Sequence, residues 1–243
     1  MSATQKIIEF AVADHDLPDS IRVVALNLLA DTLAGGSAGA SSDEARAMLL
    51  AVRGWGQGDE ARLLGLSERL TATSAAWFNG FAIHCLEWDA VHEPAVVHAM
   101  SVVTAALLAS ADRMDGCDAE AFLTALAVGV DIASGLGVAA TGAMQMFRPA
   151  TAGVVGAALA VASLECLPSD KFADVLGLAY SQAAGTMQAH VEASIALPLQ
   201  IANASRAAIT AVDLAKAGMD GPHDALEGPF GYFKLGGVRK TSN

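Results

Sequence analysis

Apolar residues recur along the chain at the three-to-four-residue spacing of amphipathic helices. No segment alternates between apolar and polar positions over the length that a half-buried strand requires. The pattern predicts helices near residues 7–12, 20–34, 43–54, 71–86, 94–114, 118–140, 150–164, 169–184 and 200–217. We therefore predict an all-α fold, with one multi-helix bundle domain over residues 1–243 and a loop or tail over residues 221–243.

Several helix boundaries carry recognisable signals. Asp19 and Ser20 are of the types that cap helix N-termini, and the pair Gly35–Gly36 predicts that this helix ends there. Residues 41–44 (SSDE) have the spacing of a capping box, which predicts the start of the next helix. The segment 150–164 is very rich in Ala and Gly, as expected for a central helix whose neighbours approach closely.

Composition narrows the class of protein. Apolar residues make up 53% of the chain and aromatic residues only 5%, which favours closely packed helices over a β-sandwich. The net charge of −12, without a Lys/Arg cluster, argues against nucleic-acid binding. The three cysteines are widely spaced and no signal peptide or clean membrane span is recognisable, so we predict a cytoplasmic protein without a membrane partner.

Chemistry-bearing residues concentrate between two predicted helices, in residues 87–98 (EWDAVHEPAVVH). This segment contains Glu87, Asp89, His92 and His98. Loops between rigid helices commonly carry active groups. The alternative is that the carboxylates are solvated and the histidines only cap the next helix. His84, on the preceding helix, is expected to be a core histidine.

Five segments, in order, resemble the MmgE/PrpD family, which includes 2-methylcitrate dehydratase, cis-aconitate decarboxylase and iminodisuccinate epimerase. They are residues 30–35 (ADTLAG), 75–92 (AAWFNGFAIHCLEWDAVH), 146–152 (MFRPATA), 197–208 (LPLQIANASRAA) and 226–233 (LEGPFGYF). The resemblance implies a helical N-terminal domain that is followed, in the family, by a smaller α/β domain. This chain is expected to lack the α/β domain.

The resemblance also assigns site residues. Glu87 and Asp89 stand at acidic family positions, and His98 at the histidine that closes the motif. Together with His92 they are the predicted catalytic residues, which would transfer a proton beside a carboxylate. Arg148 stands where the family has a histidine and is predicted, with Gln200, to bind the substrate carboxylate.

Other positions depart from the family pattern. Ala90 and Val91 replace an aspartate and a hydroxyl residue, and Leu197 replaces a lysine that could hold a carboxylate. Arg206 matches a basic family position and is expected to form a structural ion pair. A metal held by Glu87, His92 and His98 is possible by residue type, but the family needs no metal, and we predict no metal and no cofactor.

Two functions of different classes follow. The first is a cofactor-independent lyase or isomerase that abstracts a proton alpha to a carboxylate of a small acid, with a substituted active site. A variant of this first function is a biosynthetic enzyme that acts on a more apolar substrate. The second is a non-catalytic or co-dependent helical subunit of a split complex, in which a separate chain carries the missing domain. The expected partners are a small carboxylate substrate, a second copy in a homodimer, and that separate chain.

Overall fold

The structure, a computed structural model, describes residues 1–142, 144 and 146–235. In these residues the fold is almost entirely helical, which confirms the all-α prediction. The helices are α1 (Ala3–Val12), α2 (Asp19–Gly39), α3 (Asp43–Arg53), α4 (Ala72–His84), α5 (Ala99–Arg113), α6 (Ala119–Ala139), α7 (Arg148–Leu164), α8 (Phe172–Ser181), α9 (Gln188–Val191), α10 (Ala196–Lys216) and α11 (Tyr232–Leu235). A 3-10 turn (Ser169–Lys171) precedes α8, and β1 (Ala61–Arg62) pairs antiparallel with β2 (Arg69–Leu70).

Helix α7 is the centre of the bundle. Every one of its residues except Arg148 and Ser163 is buried, and it packs against α5, α6, α8 and α10. Its small side chains allow this, because a helix surrounded on all sides has no room for a polar face. The expected central helix at residues 150–164 is therefore confirmed, and it begins two residues earlier than predicted.

Helices α6 and α7 approach each other closely where Gly129 and Gly156 face each other. A Cβ atom on Gly156 would lie 2.2 Å from the main-chain oxygen of Gly129, and one on Gly129 would lie 2.9 Å from the oxygen of Gly156. No larger residue fits at either position without separating the helices. This contact fixes the distance between α6 and α7.

A buried carboxylate holds the other end of α7. Glu165, which follows the helix, accepts hydrogen bonds from Ser110 Oγ at 2.6 Å and Arg113 Nε at 2.8 Å, and it also pairs with Lys216. Burial raises the pKa of Glu165, but these three partners outweigh it and the net pKa is lowered. The ends of α5, α7 and α10 are thereby tied together.

Two boundary predictions for α2 are wrong. The N-cap is Pro18, not Asp19 or Ser20, and no side chain caps the helix. The helix also continues through Gly35–Gly36 to Gly39. Gly39 serves packing instead, because a Cβ atom there would lie 2.0 Å from the main-chain oxygen of Ala82 on α4.

Other elements match more closely. The helix start predicted at residues 41–44 is confirmed, but the N-cap is Ser42, whose Oγ accepts from the main-chain nitrogen of Ala45, so the capping-box spacing from Ser41 to Glu44 is not used. Helix α5 begins at Ala99, so residues 94–98 belong to the preceding loop. In the predicted tail, Leu226 is buried and α11 forms, while residues 236–243 lie outside the described part of the chain.

Helix α6 is long and apolar enough to cross a bilayer by length and composition alone, and α2 with α3 would be if that sharply bent pair counted as one span. More than half of the apolar window of α6 is buried inside the domain, against α5 and α7. Core helices of this kind have the same composition, so the finding is weak support for a membrane span.

Gly156→Ala should lower the free energy of unfolding by about 2 kcal/mol, because the new methyl group meets backbone that cannot move aside. Gly135→Ala on α6 is the matched control, since a Cβ atom there has nothing within 4 Å. It should raise stability by about 0.5–1 kcal/mol through helix propensity. Urea unfolding followed by circular dichroism measures both. Equal effects of the two variants would contradict the packing explanation.

Candidate functional site

A buried carboxylate lies between two histidines at the junction of α4 and α5. His84 Nδ1 lies 2.9 Å from each carboxylate oxygen of Asp89. His98 Nδ1 lies 3.2 Å from Asp89 Oδ2, and Ser101 Oγ donates a hydrogen bond to the same oxygen. The two imidazole rings meet edge to face with centroids 4.8 Å apart. We call these four residues the Asp89 cluster.

Local structure brings the cluster together from one short stretch of chain. His84 is the last residue of α4, His98 is the N-cap of α5, and Ser101 lies in the first turn of that helix. The loop between them turns back through Glu87 and Val96, which both adopt positive φ angles. A short antiparallel bridge between His92 and Val97 closes the loop.

The loop is held in place by α6. Ala95 and Val97 are fully buried, and both pack against Gly137. A Cβ atom on Gly137 would lie 2.5 Å from Val97 Cγ2 and 2.8 Å from Ala95 Cβ. The absence of a side chain at Gly137 therefore leaves the space that the loop occupies.

The cluster favours an ionised Asp89 and a protonated His98. Burial raises the pKa of Asp89, but hydrogen bonds from His84 and His98 and their charges outweigh it, so the net pKa lies far below its usual value. Burial likewise lowers the pKa of His98, while the hydrogen bond and charge of Asp89 outweigh it and raise the net pKa. The Nδ1–Oδ2 separation of 3.2 Å is within ion-pairing range, although the N–H direction is poorly aligned for a hydrogen bond. The raised pKa of His98 is therefore an effect of the neighbouring Asp89 carboxylate.

The two histidines differ in access. The side chain of His84 is buried, and its Nε2 has no hydrogen-bond partner in the described residues. The side chain of His98 is 22% exposed. Because Nδ1 of His98 faces Asp89, its Nε2 is the nitrogen on the outer edge of the ring. His98 is therefore the member of the cluster that can exchange a proton with a bound molecule.

The structure separates the other two predicted catalytic residues from the cluster. Glu87 is exposed, and it acts on His98 only through its charge, which contributes to the raised pKa. His92 is also exposed, accepts from the main-chain nitrogen of Ala95 at 3.2 Å, and lines a groove of about 380 Å³ beside α2 and α6. Catalytic roles for Glu87 and His92 stay predictions.

Arg148 begins α7 on the far side of the same loop. Its Nη1 lies 3.5 Å from the main-chain oxygen of Ala95, three residues before His98, and its Nη2 donates to the oxygen of Gly142 at 3.0 Å. No carboxylate of the described residues lies within 4.0 Å of this guanidinium. Arg148 lines a cavity of about 300 Å³, which we call the Arg148 cavity. His98 is not among the residues that line it.

Gln200 organises the segment beside that cavity. Its amide oxygen accepts from the main-chain nitrogen of Thr186 at 2.6 Å, and its amide nitrogen donates to the oxygen of Thr186 at 3.2 Å. The preceding Gly185 accepts in turn from the main-chain nitrogen of Phe147, next to Arg148. The oxygen and the nitrogen of the Gln200 side-chain amide are thus both engaged with the main chain. Its contact with substrate remains a prediction.

The expectation of an ion pair at Arg206 is wrong for the described residues. Its guanidinium packs over the ring of Trp77 at 4.1 Å and lies 3.4 Å from Asn203 Oδ1. Burial lowers the pKa of Arg206. An aromatic face replaces the carboxylate that the sequence suggested.

The residues that could hold a metal differ from those predicted. In the described part of the chain, His84, Asp89 and His98 bring ligand atoms within 4.8 Å of one another, whereas the sequence suggested Glu87, His92 and His98. The distances of 2.9 and 3.2 Å are those of imidazole groups paired directly with a carboxylate. The arrangement is accounted for by hydrogen bonding and charge, with no ion required.

Sequence reasoning missed two members of the cluster. His84 is buried, which confirms the expectation of a core histidine, but its contact with Asp89 is not predicted, and Ser101 has no assigned role. The family motif that residues 75–92 resemble contains a histidine at the position of His84, and that was the available signal. Ser101 offered none, because its contact depends on how the loop folds back.

The Asp89 cluster should make stability depend on pH in both directions. The contribution of Asp89 is complete above its unfolded-state pKa of about 3.9 and is lost as the pH falls toward its lower folded-state value. The contribution of His98 is complete below about pH 6.5 and is lost as the pH rises through its raised folded-state pKa. The melting temperature, measured by scanning calorimetry across pH 3–9, should therefore be highest between about pH 4 and 6.5.

Asp89→Asn should lower stability by about 2 kcal/mol near pH 6 and flatten both limbs of this profile. Asp174→Asn, in the exposed His223–Asp174 pair, is the matched control and should change the profile much less. A profile for Asp89→Asn that parallels the unmodified protein would rule out the cluster as its source.

Comparison with known proteins places this geometry in context. The sequence matches the model of the MmgE/PrpD N-terminal domain over residues 9–238. It is 32% identical over 191 residues to cis-aconitate decarboxylase of Homo sapiens, covering 74% of this chain and 37% of the human protein. It is 29% identical over 228 residues to a cis-aconitate decarboxylase-like protein of Aspergillus oryzae, covering 90% of this chain and 47% of that protein.

A third relative, cis-aconitate decarboxylase of Aspergillus terreus, is 26% identical over 243 residues, covering 95% of this chain and 49% of that protein. The chain therefore spans half or less of the length of these curated relatives. The family match covers nearly the whole chain, and the helical fold agrees with it. The chain belongs to the MmgE/PrpD family, of which it comprises the N-terminal domain.

Proposed function

We propose that this protein acts as a lyase or isomerase on a small carboxylic acid and transfers a proton at the carbon alpha to a carboxylate. The observation that carries the proposal is the buried Asp89 carboxylate, which holds the partly exposed imidazole of His98. The relatives named as cis-aconitate decarboxylases support the same class of reaction.

In this proposal, His98 is the acid–base group. Its neutral form accepts the proton from the substrate carbon at Nε2, and the resulting imidazolium is stabilised by Asp89 on the other side of the ring. The imidazolium then returns the proton to carbon, or to a leaving group, as the reaction requires. Asp89 is a positioning residue, since it is buried and acts through the histidine.

Negative charge that develops on the substrate needs a cation. Arg148 supports this role because its guanidinium lines a cavity and has no carboxylate partner in the described residues. An arginine can bind a carboxylate through two parallel hydrogen bonds but is too weakly acidic to serve as the base. Binding, charge stabilisation and proton transfer by these side chains require no cofactor.

The assembly belongs to the proposal as well. We propose that this protein works as a homodimer in a cytoplasmic enzyme. The exposed apolar side chains of Ile21, Val24 and Leu26 on α2 support a protein interface. Light scattering across a concentration series measures the dimer directly.

His98→Gln should reduce turnover about 10²–10⁴-fold, because glutamine retains polarity but cannot carry the proton. The assay incubates the protein in D₂O with small carboxylic acids, including cis-aconitate. NMR follows deuterium uptake at carbon and loss of the carboxyl group. His223→Gln is the matched control, since it also removes a histidine that is paired with an aspartate, and it should leave turnover unchanged.

Two results of this assay would contradict the proposal. One is equal turnover by His98→Gln and the unmodified protein. The other is binding of an acid with neither exchange nor carboxyl loss, which would favour the non-catalytic subunit.

Asp89→Asn should shift the pH profile of kcat toward lower pH, because the carboxylate that raises the pKa of His98 is removed. With His98 as base, the rate rises with pH through the pKa of this histidine, so the rise should occur earlier in the variant. The charge of Glu87 raises the pKa of His98 by less than Asp89 does, so Glu87→Gln should shift the pH profile of kcat less, in the same direction. An unshifted profile in Asp89→Asn would show that the aspartate has only a structural role.

A further inference from the structure

The walls of the Arg148 cavity differ from those expected of a cavity that binds a polycarboxylic acid. Apolar groups form much of the lining, among them Met144, Met146, Phe230 and Leu235. Among the described lining residues, Arg148 is the single charged side chain. At about 300 Å³, the cavity has roughly twice the volume of an engineered cavity that binds benzene.

The hydroxyl groups in the lining donate hydrogen bonds to main-chain oxygens of the protein. Tyr180 Oη donates to the main-chain oxygen of Phe230 at 2.7 Å, and Ser181 Oγ donates to that of Gly177 at 2.8 Å. Two longer bonds engage the hydroxyls of Thr151 and Tyr232 in the same way, with Phe147 and Leu136 as acceptors.

The protonation state of Tyr232 adds to this pattern. Burial raises the pKa of Tyr232 to about 12, so its hydroxyl stays protonated at neutral pH. Each of the four hydroxyls therefore has a main-chain acceptor within the protein, and the bonds of Thr151 and Tyr232 are the longer ones.

Among the described lining residues, Arg148 is thus the charged donor for an anion. Its guanidinium has five N–H groups, of which Nη2 uses one for Gly142 and Nη1 makes only a 3.5 Å contact with Ala95. One carboxylate can be bound by the remaining N–H groups. A second carboxylate on the same molecule would face thioether and aromatic groups without a donor, which is strongly unfavourable.

No second cation is supplied where the family resemblance implies one. That position is Leu197, which is buried in the hydrophobic core. The net charge of −12 opposes the approach of polyanions further.

We propose that the Arg148 cavity takes a monocarboxylic acid with an apolar body, its carboxylate paired with Arg148, in preference to a di- or tricarboxylate. The inference rests on the proposed function in that it names the class of acid that Arg148 would bind there. It concerns binding, however, so it can be tested apart from turnover.

The test compares two acids of similar size, 3-phenylpropanoate and tricarballylate, by isothermal titration calorimetry on the unmodified protein. The first should bind at least tenfold more tightly than the second. The neutral 3-phenylpropanamide should bind more weakly than 3-phenylpropanoate, because it cannot form the charge-assisted pair.

Substitutions identify the group responsible. Arg148→Met keeps the length and apolar character of the side chain and should weaken 3-phenylpropanoate at least tenfold, while affecting the amide little. Arg148→Lys should restore part of the affinity. Arg206→Met is the control, since it removes another arginine that has no ion pair among the described residues and should leave binding unchanged. Thermal melts establish that each variant is folded.

Each outcome bears on the proposal. It is overturned if tricarballylate binds as tightly as 3-phenylpropanoate, if neither acid binds the folded protein, or if Arg148→Met retains full affinity. Tight binding of the monocarboxylate without turnover of any acid would support this inference and count against the proposed function. Turnover of a tricarboxylate without monocarboxylate binding would do the reverse.

Discussion

The close contact between α6 and α7 determines where the functional groups lie. Because Gly129 and Gly156 have no side chain, these two backbones approach so closely that an added methyl group would clash with the opposite helix. Further along α6, Gly137 leaves the space in which Ala95 and Val97 settle. One helix therefore sets the position of the loop between α4 and α5, and also of α7, which begins with Arg148. A change in the spacing of this pair would move the two halves of the site relative to each other.

Within that frame, the buried charge of Asp89 organises the proposed acid–base group. An ionised carboxylate is costly to bury, and it is tolerated here because two imidazole groups and the Ser101 hydroxyl surround it. The same charge raises the pKa of His98, which is partly exposed. The same pairing with imidazole groups thus makes the buried carboxylate tolerable and raises the pKa of His98. The arrangement also leaves the buried His84 Nε2 without a hydrogen-bond partner among the described residues.

The sequence predicted the fold well, because the helices are long and their apolar periodicity is strong. Its errors have physical reasons. Gly35–Gly36 was interpreted as a helix end, but glycine also permits close packing, and the sequence does not distinguish the two uses. Asp89 and His98 were identified as candidates from the motif, yet their partner His84 was assigned to the core, because its contact with Asp89 depends on the turn that follows α4. The cavity beside Arg148 could not be predicted, since its walls come from three distant parts of the chain.

The Asp89 cluster is built entirely from one continuous stretch, residues 84–101, whereas Arg148 belongs to a different helix. These two parts can therefore change separately in evolution. Substitutions near the start of α7 or in α10 can alter which acid is accepted while the aspartate and its histidines remain intact. On this view, members of the family that differ at the position of Arg148 would share the proton-transfer unit but act on different substrates. New substrates would then be acquired by exchanging the anion-binding side chain alone.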